Sequence, residues 1–279
     1  MRKVILVLVQ ALVAVTAAWG QSDTPYFQIS DLADATLYLP PPPDTTSALF
    51  EYDKSQFEWG RSVRETERGQ VAVQEVNGLY PFVCSLYSDA FGMDISPDAT
   101  PAIFKVLANS LKSAANATEA CKQFYQRQRP FRYYDEPMYT GESLGNSSYP
   151  STHAAKGWLV ALLLTEINPK GEVELLKKGY EYGQNRVIVG AHWQSDVDAA
   201  RLVASYCYAR LQADSTFRAD MAAAKTEYLR LQPDAVDDIV AEEKATADGT
   251  TQWYTIDGVP ASSDTHGIVV SRRGKRINR

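Results

Sequence analysis

The chain has 279 residues, 45% of them hydrophobic, and a formal net charge of −6. That length supports one large domain or two small ones with a sizeable core. The acidic balance argues against a nonspecific nucleic-acid binder, yet it allows an anionic substrate, because a local cationic pocket overrides the global sign.

The first twenty residues stand apart. Arg2 and Lys3 precede the almost wholly apolar run Val4 to Ala18, and Ala18 and Gly20 put small residues where a signal peptidase reads. This is the pattern of a secretory signal peptide over 1–20, and it is short for a membrane span. A retained N-terminal anchor is the alternative. No later stretch is apolar for long enough to cross a bilayer, so no membrane span is expected after cleavage. Cys84, Cys121 and Cys207 would all enter an oxidising compartment. There one pair can bridge and leave one thiol, and the sequence does not say which. No CxxC or Cys/His cluster suggests a metal site, and no cofactor is expected.

Residues 21–46 read as an extended, proline-rich strap, because Pro40, Pro41, Pro42 and Pro43 lack amide hydrogens and fix φ. Residues 47–232 read as one helical domain. Phe57–Asn77, Thr100–Arg127, His153–Ile167, Val173–Gln184 and Asp196–Leu211 all carry apolar residues at three- and four-residue spacing. Period-two runs are few and no repeat is visible, so the fold class is all-α. Residues 233–279 form an extension that begins acidic and ends basic, without clear periodicity over 248–279. It is expected to be a flexible tail, the alternative being a basic tail that binds phosphate-rich surfaces.

Three short segments carry chemistry. In the first, Lys122 and Arg129 are seven residues apart, ahead of Pro130. Two helical turns would bring both cations to one face, suited to a dianion, with Pro130 ending the helix. In the second, Pro150, Ser151, Thr152 and His153 precede the apolar run Trp158–Leu164. That is a helix N-terminus, whose free amides make an anion site; Ser151 adds a hydroxyl and His153 lies in the first turn. In the third, Arg186 precedes His192 by six residues and Asp196 follows by four. On a shared helix the Asp196 carboxylate would hold Nδ1–H of His192 and free Nε2 as nucleophile or base. Each segment alone reads as an ordinary helix surface or cap. Together they hold two of the chain's three histidines, the other being His266.

The ordered set resembles the signature of the acid phosphatase/vanadium haloperoxidase superfamily, also called the type 2 phosphatidic acid phosphatase family: Lys-x6-Arg-Pro, then Pro-Ser-Gly-His, then Ser-Arg-x5-His-x3-Asp. This chain departs at two positions, with Thr152 in place of glycine and Asn185 in place of serine. Leu39–Pro43, Thr66–Gly69, Tyr149–Ser151, Glu166–Pro169 and Gly190–Arg201 are further similar to the bacterial class A nonspecific acid phosphatases.

The resemblance implies a helical bundle of the acid phosphatase/vanadium haloperoxidase type, periplasmic or secreted, forming a homo-oligomer. It implies metal-independent hydrolysis of small-molecule phosphomonoesters, nucleotides included, with phosphoryl transfer to alcohols in some members and inorganic phosphate or vanadate as inhibitor. Lys122, Arg129, Ser151, Thr152 and Arg186 would bind the phosphoryl group. His192 would be the nucleophile that forms a phosphohistidine, Asp196 its orienting carboxylate and His153 the general acid and base. The β-branched Thr152 would slow the reaction or alter substrate preference, and Asn185 would matter less. The competing readings are a vanadate-dependent haloperoxidase, a membrane lipid phosphatase, and a phosphate-binding protein without activity. Halide oxidation with vanadate and peroxide, assayed against p-nitrophenyl phosphate hydrolysis, separates the first from the phosphatase.

Overall fold

The apolar spacing of the central region is realised as helix. The computed structural model describes residues 24–232, 254–255, 267–271 and 274–278. The signal peptide expected over 1–20 and most of the extension expected over 233–279 therefore lie outside the described residues. Ten α-helices follow in chain order among the described residues: α1 (Ala48–Val63), α2 (Glu67–Gln74), α3 (Tyr80–Ser85), α4 (Ser88–Phe91), α5 (Pro101–Tyr125), α6 (Pro130–Tyr133), α7 (Thr152–Ile167), α8 (Glu172–Ile188), α9 (Gln194–Gln212) and α10 (Ser215–Leu231). Residues 24–232 are all-α, and none of the described helices is long and apolar enough to cross a membrane.

Helix α7 is the axis of the fold and packs against α5, α8 and α9. Its sequence explains this. Ala154, Ala155, Leu159, Val160, Ala161, Leu163 and Leu164 are all buried, so the helix is apolar around most of its circumference. Gly157 lets α8 come close: a Cβ there would stand 2.2 Å from Tyr182 Cδ1. A second core cluster joins Phe50, Phe57 and Trp193, with Tyr134 stacked on Phe57 at 4.6 Å between ring centroids.

Helix ends depart from the periodic reading in two places. The helix expected over Phe57–Asn77 is two, because the Thr66 hydroxyl accepts the Gly69 amide at 3.4 Å and starts α2 afresh. The helix expected to reach Arg127 stops at Tyr125, where Gln126 turns left-handed with φ 45°. Pro130 does not end that helix; it opens α6 at its first position.

Residues 24–46 carry two short 3-10 turns, Ile29–Asp31 and Ala35–Leu37. They are tied to the helices by Tyr26 N–H on Ser113 Oγ (3.0 Å), Asn116 Nδ2 on the Phe27 carbonyl (3.1 Å) and the Tyr149 hydroxyl on the Pro40 carbonyl. Cys84, Cys121 and Cys207 are buried and free, so no pair is bridged. The chain divides after Lys225 into two units. In the second, β1 (Tyr254–Thr255), β2 (Gly267–Ser271) and β3 (Gly274–Asn278) form an antiparallel sheet in that order, with Ile268 opposite Ile277.

Candidate active site

The three segments meet at helix ends. Lys122 lies in the last turn of α5, and its Nζ is 3.4 Å from the Ser147 carbonyl. Past the left-handed Gln126, the chain runs extended to Arg129, which has φ −75° and ψ 153° because a residue before proline is pushed from the helical region. Lys122 and Arg129 thus converge through a turn and not along one helix face. Arg129 is held on three carbonyls, through Nε to Gly145 (2.6 Å), Nη1 to Ala191 (2.9 Å) and Nη2 to Ser147 (2.9 Å).

Ser151 is the N-cap of α7; its hydroxyl accepts the Ala154 amide at 3.2 Å, and its own N–H donates to the Asp196 carbonyl at 3.0 Å. Helix geometry leaves the amides of Thr152 and His153 without intrahelical acceptors. The Thr152 hydroxyl is turned to Thr118 on α5, 2.7 Å away. Arg186, near the end of α8, donates from Nη2 to Glu142 at 3.0 Å. Its Nε and Nη1 are buried without a partner. A guanidinium with two orphaned donors is an expensive thing to bury, and an oxyanion would satisfy both.

His192 sits in the turn between α8 and α9, which Gly190 makes possible with φ 77°. A Cβ at Gly190 would also come 2.6 Å from Arg64 Nη2. The expectation of His192 and Asp196 on one helix does not hold: His192 precedes α9, and Asp196 lies in its first turn. Asp196 Oδ2 accepts the Trp193 amide (2.8 Å), and Oδ1 accepts from Arg127 (2.6 Å). His192 Nδ1 is 3.5 Å from Asp196 Oδ2, an ion-pair distance that falls short of a hydrogen bond. Nε2 lies 3.0 Å from Arg129 Nη1, which can only donate, so Nε2 carries the lone pair and Nδ1 the proton.

Lys122, Arg129, Thr152, His153 and His192 line a cavity of about 570 Å³ with Glu119, Gln123, Gln126, Lys156 and the loop 144–147. Ser151, Arg186 and Asp196 are buried behind this wall. Burial, then neighbouring cations, set the protonation. Burial first and Arg129 second push Lys122 down to about 8, and burial presses Arg129 down to about 10. Burial lowers His192 well below the usual histidine value, helped by Arg129, Lys122 and Arg186. His153 is lowered likewise by burial, Arg186 and His192. Both rings are therefore neutral near pH 7.

Several residues around the site carried no assignment in the sequence. Arg127 bridges Asp196 and Asp53, with Asp53 Oδ2 at 2.7 Å, and Ser195 Oγ donates to the same Asp53 oxygen at 2.6 Å. Arg127 lies inside the first segment, so its proximity was visible and its role was not. Asp53 and Glu75 lie far from the segments in sequence, and Glu142 falls in the loop between the first two; no local signal points to any of them. Among the described residues, no group of three or more His, Cys, Asp and Glu side chains is arranged to hold a metal ion.

Residues 104–216 match the family model of the PAP2 superfamily. A non-specific acid phosphatase of Providencia stuartii is 42% identical over 215 residues, which cover 75% of this chain and 87% of the relative. One from Salmonella typhimurium is 34% identical over 227 residues, 79% of this chain and 91% of the relative. An acid phosphatase of Zymomonas mobilis is 32% identical over 246 residues, 86% of this chain and 92% of the relative. With the matched family region spanning α5 to α9 and these identities extending over most of both chains, this protein belongs to the class A non-specific acid phosphatases of the PAP2 superfamily.

Proposed function

We propose that this chain hydrolyses phosphomonoesters in the periplasm or outside the cell, through a phosphohistidine on His192 and without a metal. The observation that supports this reading is Arg186 with two unpartnered buried donors, behind a cavity lined by Lys122, Arg129, His153 and His192. Three cations and the first amides of α7 would take the phosphoryl oxygens and stabilise the charge that spreads over them in the transition state. The Arg129 donor now on His192 Nε2 would move to a phosphoryl oxygen and uncover the lone pair. With the phosphoryl group bound, its negative oxygens would offset the neighbouring cations and let His153 take up a second ring proton; His192 Nε2 then attacks phosphorus, the ester P–O bond breaks, and His153 gives that second proton to the leaving oxygen. In the second step His153 takes a proton from water, whose oxygen attacks phosphorus, and the P–N bond breaks to release phosphate. Asp196 offsets the positive charge on His192 through the phosphohistidine stage.

A grip confined largely to phosphate supports a broad substrate range, nucleotides and phosphoryl transfer to alcohols included, with phosphate and vanadate competing. The class resemblance further suggests a homo-oligomer. The test is p-nitrophenyl phosphate hydrolysis across acidic to mildly basic pH, with and without EDTA, on wild type and His192→Ala. Activity that survives EDTA and falls by roughly a thousandfold or more in His192→Ala is expected. A strict metal requirement, or near-normal turnover by His192→Ala, would overturn the mechanism.

A further inference from the structure

Asn185 stands where the related motif carries serine, and it is only 1% exposed. Its Nδ2 donates to Oε2 of Glu75 at 2.7 Å. Glu75 is itself buried, and its other carboxylate oxygen is paired with Lys178. Glu75 is also the C-cap of α2, a position whose carbonyl the helix leaves without an amide donor. That carbonyl accepts His153 Nε2–H at 3.2 Å. The face of the His153 ring lies on Tyr182, with centroids 4.2 Å apart and planes 15° from parallel.

Lys178, Tyr182, Asn185 and Arg186 follow helical spacing, so they share one stripe of α8. This stripe supports the His153 ring, anchors the residue that holds Nε2, and supplies a cation of the anion site. Nε2 is thereby committed to a carbonyl, which leaves Nδ1 as the nitrogen that exchanges a proton. A Cβ at position 78 would come 3.2 Å from Nδ1, and Gly78 leaves that atom uncovered. The charged and titratable groups around His153 are Arg186 from α8, His192 from the following turn, Lys156 from α7 and Glu75 from α2. Against three groups that oppose a positive ring stands the negative end of α2.

We infer that Glu75 and Asn185 are positioning residues for His153, holding the α2 carbonyl on Nε2 so that Nδ1 delivers the proton to the leaving oxygen. The inference rests on the general-acid role proposed above for His153. It is tested by kcat/KM on two substrates. p-Nitrophenyl phosphate has a leaving group that departs as an anion, whereas a simple alkyl phosphate needs its leaving oxygen protonated. Asn185→Asp keeps the shape and sets like charges against each other, and Glu75→Gln keeps the shape and loses the pairing with Lys178.

Each variant is expected to lose about tenfold more kcat/KM on the alkyl ester than on the aryl ester. His153→Ala is the reference and should show the same selectivity, larger. Parallel losses on both esters, or no loss, in variants whose melting shows them folded would overturn the inference while His153→Ala remains selective. If His153→Ala itself is unselective, the general-acid reading fails and the inference falls with it. Where Asn185→Asp does not fold, Glu75→Gln carries the same comparison.

Discussion

Lys122 sits among the α5 terminus, Arg129 and the Ser147 carbonyl, and burial with its cationic neighbour lowers its ammonium to about 8. A cation with a lowered value is charged below it and loses its proton above it. Inhibition by inorganic phosphate should therefore weaken as pH passes about 8 and stay flat over that range in Lys122→Arg, whose guanidinium keeps its charge. An inhibition constant in wild type that does not rise through that window would count against the role of Lys122. Thr152 is the second residue with a measurable consequence. Its hydroxyl is held by Thr118 at 2.7 Å, which explains how a β-branched side chain fits where the related motif has glycine. Thr152→Gly should raise kcat/KM for bulky esters several-fold and cost about 1 kcal/mol of stability, through the lost hydroxyl pair and the freer backbone. Unchanged kinetics would show that the methyl group does not crowd the substrate.

At the scale of elements, the site is an assembly of helix termini. The ends of α2, α5 and α8 and the starts of α7 and α9 all face it, bringing free amides, free carbonyls and left-handed or extended linkers together. The close approach of α7 and α8 fixes their relative position. Gly157→Ala should cost roughly 1–3 kcal/mol, because its Cβ would overlap Tyr182, and Tyr182 in turn supports His153. Chemical unfolding and kinetics on the same variant test this: a stability loss without any loss of kcat would separate packing from function. Sequence reading found the helices that have strong periodicity, such as α7 and α9, within two residues. It joined α1 to α2 and ran α5 on to Arg127, because Thr66 as a cap and Gln126 as a left-handed terminator differ little from ordinary helix residues. Two of the four α8 stripe residues, Lys178 and Tyr182, also went unread, since a helix face shows its meaning only when its partner is known.

For the whole molecule, the two site histidines tie stability to pH. Both are held below the usual value by burial and by cations. Between that lowered range and the unfolded value near 6.5, the unfolded chain binds more protons, so stability falls as pH drops through about 6.5. Melting temperature should decrease on acidification, and less steeply in a variant carrying His153→Gln and His192→Gln. Phosphate should oppose the decrease, since an anion that binds only the folded state adds about 2.7 kcal/mol at a hundred times its dissociation constant. Melts that are equally steep in wild type and the double variant would dissociate the histidines from the effect.

The sequence by itself determined the family, the helical class and four side chains that line the cavity, Lys122, Arg129, His153 and His192, because the motif residues cluster in short segments whose spacing survives any change in the surrounding loops. Only the tertiary structure decided how they work together. Lys122 meets Arg129 through a turn, Asp196 is shared between a helix cap and Arg127, and His153 leans on Glu75 and Tyr182 from two other helices. Those relations join residues dozens of positions apart. They arise from close packing and from satisfying buried polar groups, neither of which leaves a local trace in the chain.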